Sequence, residues 1–287
     1  MGFVRSVGVT LEMIRWEHSI FALPFALTGA MLAARGVPPM RTLGWILVAM
    51  VAARSAAMAF NRLADARLDA ANPRTAARAL PAGLLSAGFV AWFTVVASAI
   101  FVVAAWRLNR LTLVLAPVVL VVLLGYSLTK RFTRWSHLVL GLALGIAPSA
   151  AWIAVRGSLD WRIVVLTAAV LLWVAGFDIL YACQDFEHDR SVGLNSVPQA
   201  FGMNAAFWLA RLFHAGMLAL LVWICVLFAL GPIAYAGVAV VAALLLYEHL
   251  IVSPADLSRM NAAFFTMNGV ISFVFFVAVA AALLVRR

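Results

Sequence analysis

Long runs of apolar residues recur along almost the whole chain, separated by short polar stretches. A run of roughly 20 apolar residues is long enough for one helix to cross the hydrocarbon core of a bilayer. Nine such windows occur, at residues 19–34, 42–60, 84–106, 111–129, 136–155, 162–182, 204–229, 231–252 and 262–285. The pattern predicts an all-α integral membrane protein with about nine transmembrane helices.

The composition excludes the other broad classes of protein. Of the 287 residues, 66% are hydrophobic and 11% are charged, and the mean hydropathy is +1.06. These values do not fit a soluble fold, a secreted disulfide scaffold or a disordered linker. Cys183 and Cys225 lie beside or inside apolar runs and offer no disulfide framework or thiolate metal site. We expect residues 1–287 to form a single membrane domain.

The charge balance is strongly basic, with a formal net charge of +10 at pH 7. In a soluble protein such an excess would suggest nucleic acid as a partner, but in a membrane protein it is expected at helix ends. We therefore predict that the protein lies in a lipid bilayer and does not bind nucleic acid. Basic residues outside the spans are more numerous on the side of the N-terminus, which predicts that this side faces the cytoplasm of an inner membrane.

Two connections between the apolar windows are long and polar, residues 61–83 and 183–203. They follow the second and the sixth predicted span, so both should lie on the same side of the membrane. The short basic connection 130–134 follows the fourth span and should lie there too. Long polar loops in so apolar a chain require a functional reason.

Six of the eleven acidic residues fall in two short segments within or next to these connections. In the first, Asn61, Asp65 and Asp69 are four residues apart and would line one face of a helix that continues the second span. In the second, Asp178, Asp185 and Asp189 also repeat at helical spacing. Carboxylates on one face repel each other, and a Mg²⁺ ion shared with a diphosphate would relieve the repulsion.

Basic residues accompany both acidic segments, and guanidinium groups bind phosphate oxygens in a bidentate fork. They are Arg62, Arg67, Arg74, Arg78, Lys130, Arg131, Arg134 and Arg190. For Arg67, Glu187, His188 and Arg190, a solvated surface is the alternative interpretation.

Asp178 differs from the other acids because it lies within an apolar run, where a carboxylate is costly. It could belong to the active site, close to Tyr181 one helical turn further on. A buried salt bridge to an arginine such as Arg54 is the competing explanation.

These segments resemble the two aspartate-rich motifs of the UbiA superfamily of intramembrane aromatic prenyltransferases. The first resemblance covers residues 61–69, Asn72 to Thr75, Arg78 and 80–83, and the second covers residues 178–189, Gly193, Ser196 and 201–202. The segments 126–133 and 137–145 are similar to the part of the family after its fourth helix. Many relatives have an aspartate directly after the first asparagine of the motif, whereas Arg62 stands here.

The resemblance implies a helical bundle around a lipid-open central cavity that is capped by the two motif loops on the cytoplasmic side. It implies Mg²⁺ held between Asp65, Asp69, Asp185 and Asp189, with Asn61 assisting. The same resemblance makes these four aspartates and Asp178 the candidate catalytic residues. The expected substrate-binding residues are Asn61, Arg62, Arg78, Lys130, Arg131 and Tyr181, with Arg15 as a candidate for the acceptor's carboxylate or phenolate.

The function that follows is Mg²⁺-dependent transfer of a polyprenyl group from polyprenyl diphosphate to a hydroxylated aromatic acid. The acceptor would be 4-hydroxybenzoate or a dihydroxynaphthoate type, in ubiquinone or menaquinone biosynthesis. A relative with a haem or homogentisate type of acceptor is one alternative. An ion-coupled transporter is another, but it would spread acids through several spans near the middle of the membrane. Here the acids concentrate at one face beside arginines.

Overall fold

The computed structural model describes residues 3–14, 19–260 and 266–285, and these residues fold almost entirely into helices. Apolar side chains place a segment in the hydrocarbon core, where its backbone N–H and C=O groups cannot bond to water. The segment therefore forms a helix, which pairs these groups with each other. The helices are α1 (Phe3–Met13), α2 (Ser19–Ala34), α3 (Met40–Ala71), α4 (Ala87–Leu108), α5 (Arg110–Thr129), α6 (Ser136–Arg156), α7 (Trp161–Ala182), α8 (Phe186–Val192), α9 (Val197–Phe201), α10 (Met203–Leu227), α11 (Pro232–Ile251) and α12 (Asn268–Val285).

Each of the nine predicted spans falls on one of these helices. Within the described residues, eight helices are long and apolar enough to cross a membrane, namely α3 to α7 and α10 to α12, with α7 continuing through α8. The remaining predicted span corresponds to α2, which is only 16 residues long. The prediction of an all-α membrane protein is confirmed, and eight helices meet the length requirement within the described residues.

The helix α3 is much longer than the second predicted span, 42–60. Its 32 residues extend about 48 Å, whereas the hydrocarbon core is roughly 30 Å thick. The C-terminal part of α3 must therefore project beyond the apolar layer. This projection carries the first acidic segment.

The helix α7 lies at the centre of the bundle, packed between α6 and α10. Its Trp173 is fully buried and contacts Phe25 of α2 and Phe177, with ring centroids 5.1 Å apart in both pairs. Trp173 Nε1 donates a hydrogen bond of 2.9 Å to Asn268 Oδ1 of α12. These contacts tie α2, α7 and α12 together below the acidic face of the protein.

The helices α6 and α7 approach so closely that only glycine fits at part of their interface. A Cβ atom placed on Gly141 would lie 2.4 Å from the carbonyl oxygen of Leu171, and one on Gly145 would lie 2.8 Å from that of Thr167. Small residues allow such close contact between membrane helices. The contact fixes the position of α7 relative to α6, and both helices carry residues of the candidate site.

We predict that Gly141→Ala lowers the free energy of unfolding by about 1–3 kcal/mol, because the added methyl group must push the α7 backbone away. The matched control is Gly125→Ala on α5, where an added Cβ meets no atom within 4 Å. The control should be neutral or slightly stabilising, since alanine favours helix formation. Thermal unfolding of the purified protein in detergent measures both, and equal melting temperatures would contradict the prediction.

Candidate active site

The first acidic segment lies on the projecting end of α3. Asp65 and Asp69 are buried, and Asn61 Nδ2 donates a hydrogen bond of 3.2 Å to Asp65 Oδ2. The helix continues to Ala71, so residues four apart share one face. The expectation that this segment continues the second span as a helix is confirmed, and the first motif is helical up to Ala71 and forms turns after it.

The connection between α5 and α6 brings two cations to Asp65. Lys130 Nζ lies 2.7 Å from Asp65 Oδ2, and Arg131 Nη2 lies 3.2 Å from Oδ1. Arg131 also donates a hydrogen bond of 2.6 Å to the carbonyl oxygen of Ala64. A buried carboxylate is tolerated only when it is paired and hydrogen-bonded. Asp65 meets this requirement through a segment 65 residues away in the sequence.

The turns that follow α3 neutralise one oxygen of Asp69. Arg78 Nη1 lies 2.7 Å from Asp69 Oδ1, and Thr75 Oγ1 donates to the main-chain carbonyl of Asp69 at 3.0 Å. The second carboxylate oxygen, Asp69 Oδ2, is buried and has no hydrogen-bond partner among the described residues. A buried oxygen of this kind is a candidate ligand for a further cation.

The second acidic segment continues α7 through a short 3₁₀ turn, Cys183–Asp185, into α8. The sequence predicted one helical face for Asp178, Asp185 and Asp189. The tighter 3₁₀ turn breaks the regular α-helical spacing, yet all three aspartates line the same cavity together with Tyr181.

Arg74 joins the two acidic segments. Its guanidinium forms a bidentate salt bridge with Asp185, with Nε 2.8 Å from Oδ1 and Nη2 on Oδ2. Its Nη1 donates to the Tyr181 hydroxyl at 3.2 Å, and Asn72 Nδ2 donates to Asp185 Oδ1 at 3.1 Å. Burial lowers the pKa of Arg74, but the hydrogen bonds and charge of Asp185 outweigh this, so the pKa lies above its usual value.

A polar cavity of about 320 Å³ lies between these elements, and it adjoins a second, apolar cavity of about 370 Å³ between α2, α3, α4, α5 and α6. Both cavities are lined by Arg54, Met58, Tyr126, Leu140 and Leu144. On the outer side, the apolar cavity is lined by Leu47 and Val51, which are exposed on the surface of the bundle. The apolar cavity therefore reaches the face that contacts lipid.

Asp178 has a partner that the sequence did not indicate. Its Oδ2 lies 2.7 Å from Nδ1 of His137, which is buried in the first turn of α6. The competing explanation for Asp178 was a salt bridge to an arginine such as Arg54, and the structure shows a histidine as a partner. Asp178 also lines the polar cavity, with 24% of its side chain exposed.

Most of the residues singled out from the sequence come together here. Those that line the polar cavity are Asn61, Arg62, Asp65, Asp69, Arg78, Lys130, Asp178, Tyr181, Asp185 and Asp189. Arg131 is outside the lining but contacts Asp65. Arg15 lies outside the described residues.

Arg62 has additional contacts that relate to its unusual place in the motif. It is buried, with Nε 3.5 Å from the carbonyl oxygen of Met13 at the end of α1 and Nη1 3.5 Å from Asn61 Oδ1. A cation is favourable beside the unpaired carbonyls of a helix C-terminus. Arg62 thus connects the first motif to the N-terminal helix.

Some of the charged residues near the motifs do not line the polar cavity. Arg67, Glu187 and Arg190 are exposed and do not line the polar cavity, which agrees with the solvated-surface interpretation, whereas His188 does line it. The sequence reasoning missed Asn72 and His137 and assigned Arg74 only a general cationic role. His137 begins a segment that resembles the family, but its contact with Asp178, 41 residues away, could not be predicted from the sequence.

The structure differs from the expected metal arrangement in one respect. Among the described ranges, no three His, Cys, Asp or Glu side chains are close enough together to hold a metal ion. Instead, Asp65, Asp69 and Asp185 are each paired with their own basic side chains. The donor chemistry still fits a hard cation such as Mg²⁺, since the site offers carboxylate and amide oxygens and the unpartnered Asp69 Oδ2.

Comparison with known proteins agrees with this arrangement. Residues 22–284 match the profile of the UbiA prenyltransferase family. The chain is 33% identical over 251 residues to the 4-hydroxybenzoate octaprenyltransferase of Vibrio cholerae serotype O1, covering 86% of this chain and 87% of that protein.

Solved structures share the fold. The apo structure of a UbiA homolog from Aeropyrum pernix K1 superimposes with a TM-score of 0.83 at 33% identity, covering 94% of this chain and 98% of that one. A UbiA homolog from Archaeoglobus fulgidus bound to DMAPP and Mg²⁺ gives a TM-score of 0.71 at 19% identity, covering 96% and 99%. The arrangement of helices is therefore common to all three proteins.

We predict that removing a charge lowers the stability of the protein at Arg78 but has little effect on it at Asp178. Arg78→Met leaves the buried carboxylate of Asp69 without its cation and should lower the free energy of unfolding by about 1–3 kcal/mol. Asp178→Asn should change it by less than about 1 kcal/mol, because its histidine partner needs no counter-charge when neutral. Denaturant or thermal unfolding measures both, and a larger loss in Asp178→Asn would contradict the prediction.

Proposed function

The chain belongs to the UbiA prenyltransferase family, and we propose that it transfers a polyprenyl group from polyprenyl diphosphate to 4-hydroxybenzoate in ubiquinone biosynthesis. The observation that carries this proposal is the junction of two cavities. One is lined by the acids and bases of both motifs, and the other is apolar and reaches the lipid-facing surface. A charged diphosphate and a long apolar chain would each meet a matching environment.

The diphosphate would bind among the basic side chains of the polar cavity. Arg74, Arg78, Lys130 and Arg131 now contact aspartates and come from two separate connections. When bound, Mg²⁺ would supply the positive charge that neutralises the leaving diphosphate. The residues that would hold it are Asn61, Asp65, Asp69, Asp185 and Asp189. Once these carboxylates are neutralised in this way, the four basic side chains can turn to phosphate oxygens.

The prenyl chain would occupy the apolar cavity. Tyr126 and Thr112 line its two ends on α5 and are about 21 Å apart along the helix axis. A chain longer than this can continue past Leu47 and Val51 into the bilayer. The same apolar wall would exclude water from the reacting carbon, which protects the allylic cation from hydrolysis.

The chemistry then requires little beyond charge stabilisation and positioning. The allylic C–O bond breaks and its electron pair leaves with the diphosphate. A ring carbon of the acceptor, ortho to the hydroxyl, supplies the electron pair for the new C–C bond. The ring then loses one proton and becomes aromatic again, and Asp178 in the polar cavity is the proposed group that receives it.

The choice of acceptor rests on the relatives. The Vibrio cholerae relative is named for 4-hydroxybenzoate, which favours this acceptor over a dihydroxynaphthoate type. Tyr181 and Arg62 line the same polar cavity as Asp178 and are the proposed contacts of the ring. Arg15 remains a proposed contact of the acceptor's carboxylate. We further propose a single domain in an inner membrane, with the motif face toward the cytoplasm.

We predict that Asp65→Asn or Asp189→Asn abolishes prenyl transfer while the protein stays folded, because each variant removes a carboxylate that is proposed to hold Mg²⁺ beside the diphosphate. The assay incubates the purified protein with Mg²⁺, geranyl diphosphate and a panel of aromatic acids, and detects products by mass spectrometry. The matched control is Glu187→Gln, an exposed acid between the two aspartates of the second motif, which should keep full activity. Near-normal transfer by either aspartate variant would exclude the proposed role.

The proposed topology has its own test. Cysteines placed at Ala71 and Val192, both exposed on the motif face, should react with a membrane-impermeant maleimide only from the cytoplasmic side. A cysteine at Leu159, which is exposed between α6 and α7, should react only from the opposite side. The native Cys183 and Cys225 are buried and should contribute little background. Labelling of Ala71→Cys and Val192→Cys from different sides would contradict a shared face.

A further inference from the structure

His137 connects the candidate reacting acid to the chain segment that follows the second motif. Its side chain is 4% exposed, and its two ring nitrogens contact different elements. Nδ1 lies 2.7 Å from Asp178 Oδ2 on α7, and Nε2 lies 3.3 Å from the backbone nitrogen of Val197 in the first turn of α9. No other use of this histidine emerges from the proposed chemistry.

The hydrogen bond from Val197 identifies the tautomer. The first N–H groups of a helix have no partner within the helix, so the Val197 N–H is available to donate. It donates to His137 Nε2, which must therefore carry a lone pair and no proton. The proton of the neutral ring is then on Nδ1, where it is donated to Asp178.

We propose that His137 is a positioning residue that holds the Asp178 carboxylate in the orientation that receives the ring proton, a role that rests on the proposed function. The imidazole is buried and held by a hydrogen bond at each nitrogen, and its bond to Oδ2 fixes the plane of the Asp178 carboxylate. The position of the other oxygen, Oδ1, is thereby fixed as well. In the step itself, the ring C–H bond breaks after the C–C bond has formed. Its electron pair returns to the ring, and its proton passes to Oδ1.

The chain segment that contacts His137 is also hydrogen-bonded to the connection between α5 and α6. Ser196 caps α9, with its side chain accepting from the backbone N–H of Gln199, and Asn195 donates its backbone N–H to the carbonyl oxygen of Lys130 at 2.9 Å. The segment that orients His137 is therefore attached to the same connection that neutralises Asp65. The orientation of Asp178 and the cation at the first motif thus depend on one short stretch of chain.

Two substitutions separate positioning from simple support of the fold. His137→Leu introduces an apolar side chain of similar size and removes both hydrogen bonds. His137→Gln is neutral at every pH, and its amide offers one N–H for Asp178 and one carbonyl oxygen for the Val197 amide. The probes are geranyl diphosphate and 4-hydroxybenzoate with purified protein. The readouts are kcat, KM for each substrate, calorimetric binding of geranyl diphosphate and melting temperature.

We expect kcat of His137→Leu to fall about 100-fold, as misplacement of a reacting group does, with KM and binding of geranyl diphosphate unchanged. His137→Gln should keep most of the wild-type kcat. The double variant His137→Leu/Asp178→Asn should be no slower than Asp178→Asn, because the histidine acts only through the aspartate.

Other results would overturn the role. Full activity of His137→Leu, or a folded but inactive His137→Gln, would exclude positioning by a neutral imidazole. Loss of geranyl diphosphate binding in His137→Leu would assign the residue to the fold alone. If His137→Leu does not fold, the activity of His137→Gln decides. Absence of prenyl transfer by the unsubstituted protein would overturn the proposed function and this role together, whereas the other results leave the function intact.

Discussion

Buried carboxylates at the end of an apolar bundle are the constraint on which the whole site depends. Asp65 and Asp69 are 2% and 6% exposed, and an ionised group so far from water requires cations and hydrogen bonds close by. Two connections on this face of the bundle supply the cations, Lys130 and Arg131 to Asp65 from one and Arg78 to Asp69 from the other. The need to pair these charges therefore determines how the loops fold over the helix ends.

The same pairing divides the interior into two environments. The charged side chains at the helix ends form a polar cavity. The adjoining cavity, between α2, α3, α4, α5 and α6, is almost entirely apolar. Arg54 and Tyr126 line both, so the boundary is formed by side chains with an apolar body and a polar end. A substrate with a diphosphate head and a hydrocarbon tail has the same division, and this correspondence underlies the proposed function.

The length and packing of the helices determine where the charged side chains lie relative to the apolar layer and to each other. The 32-residue α3 carries its aspartates beyond the apolar layer, and the close contact of α6 with α7 at Gly141 brings His137 beside Asp178. Because these positions are set by backbone contact rather than by flexible side chains, small changes in helix packing should reach the site. The reacting groups are thus supported by rigid elements on several sides.

The sequence alone determined the features that depend on local chain geometry. Apolar windows of spanning length predicted the helices, and Asn61, Asp65 and Asp69 could be placed on one face because residues four apart share a face in any α-helix. Parity of the spans put the two acidic segments and Lys130 on one side, and the contacts of Asp65 and Asp185 agree with this.

Only the tertiary structure decided which charges meet. The pairs Arg74–Asp185, Lys130–Asp65 and His137–Asp178 join residues 111, 65 and 41 positions apart. A helical repeat carries no information about such distances, because they depend on how whole helices pack. For the same reason the sequence could not show that Asp65, Asp69 and Asp185 each pair with their own basic side chains, or that a histidine contacts Asp178.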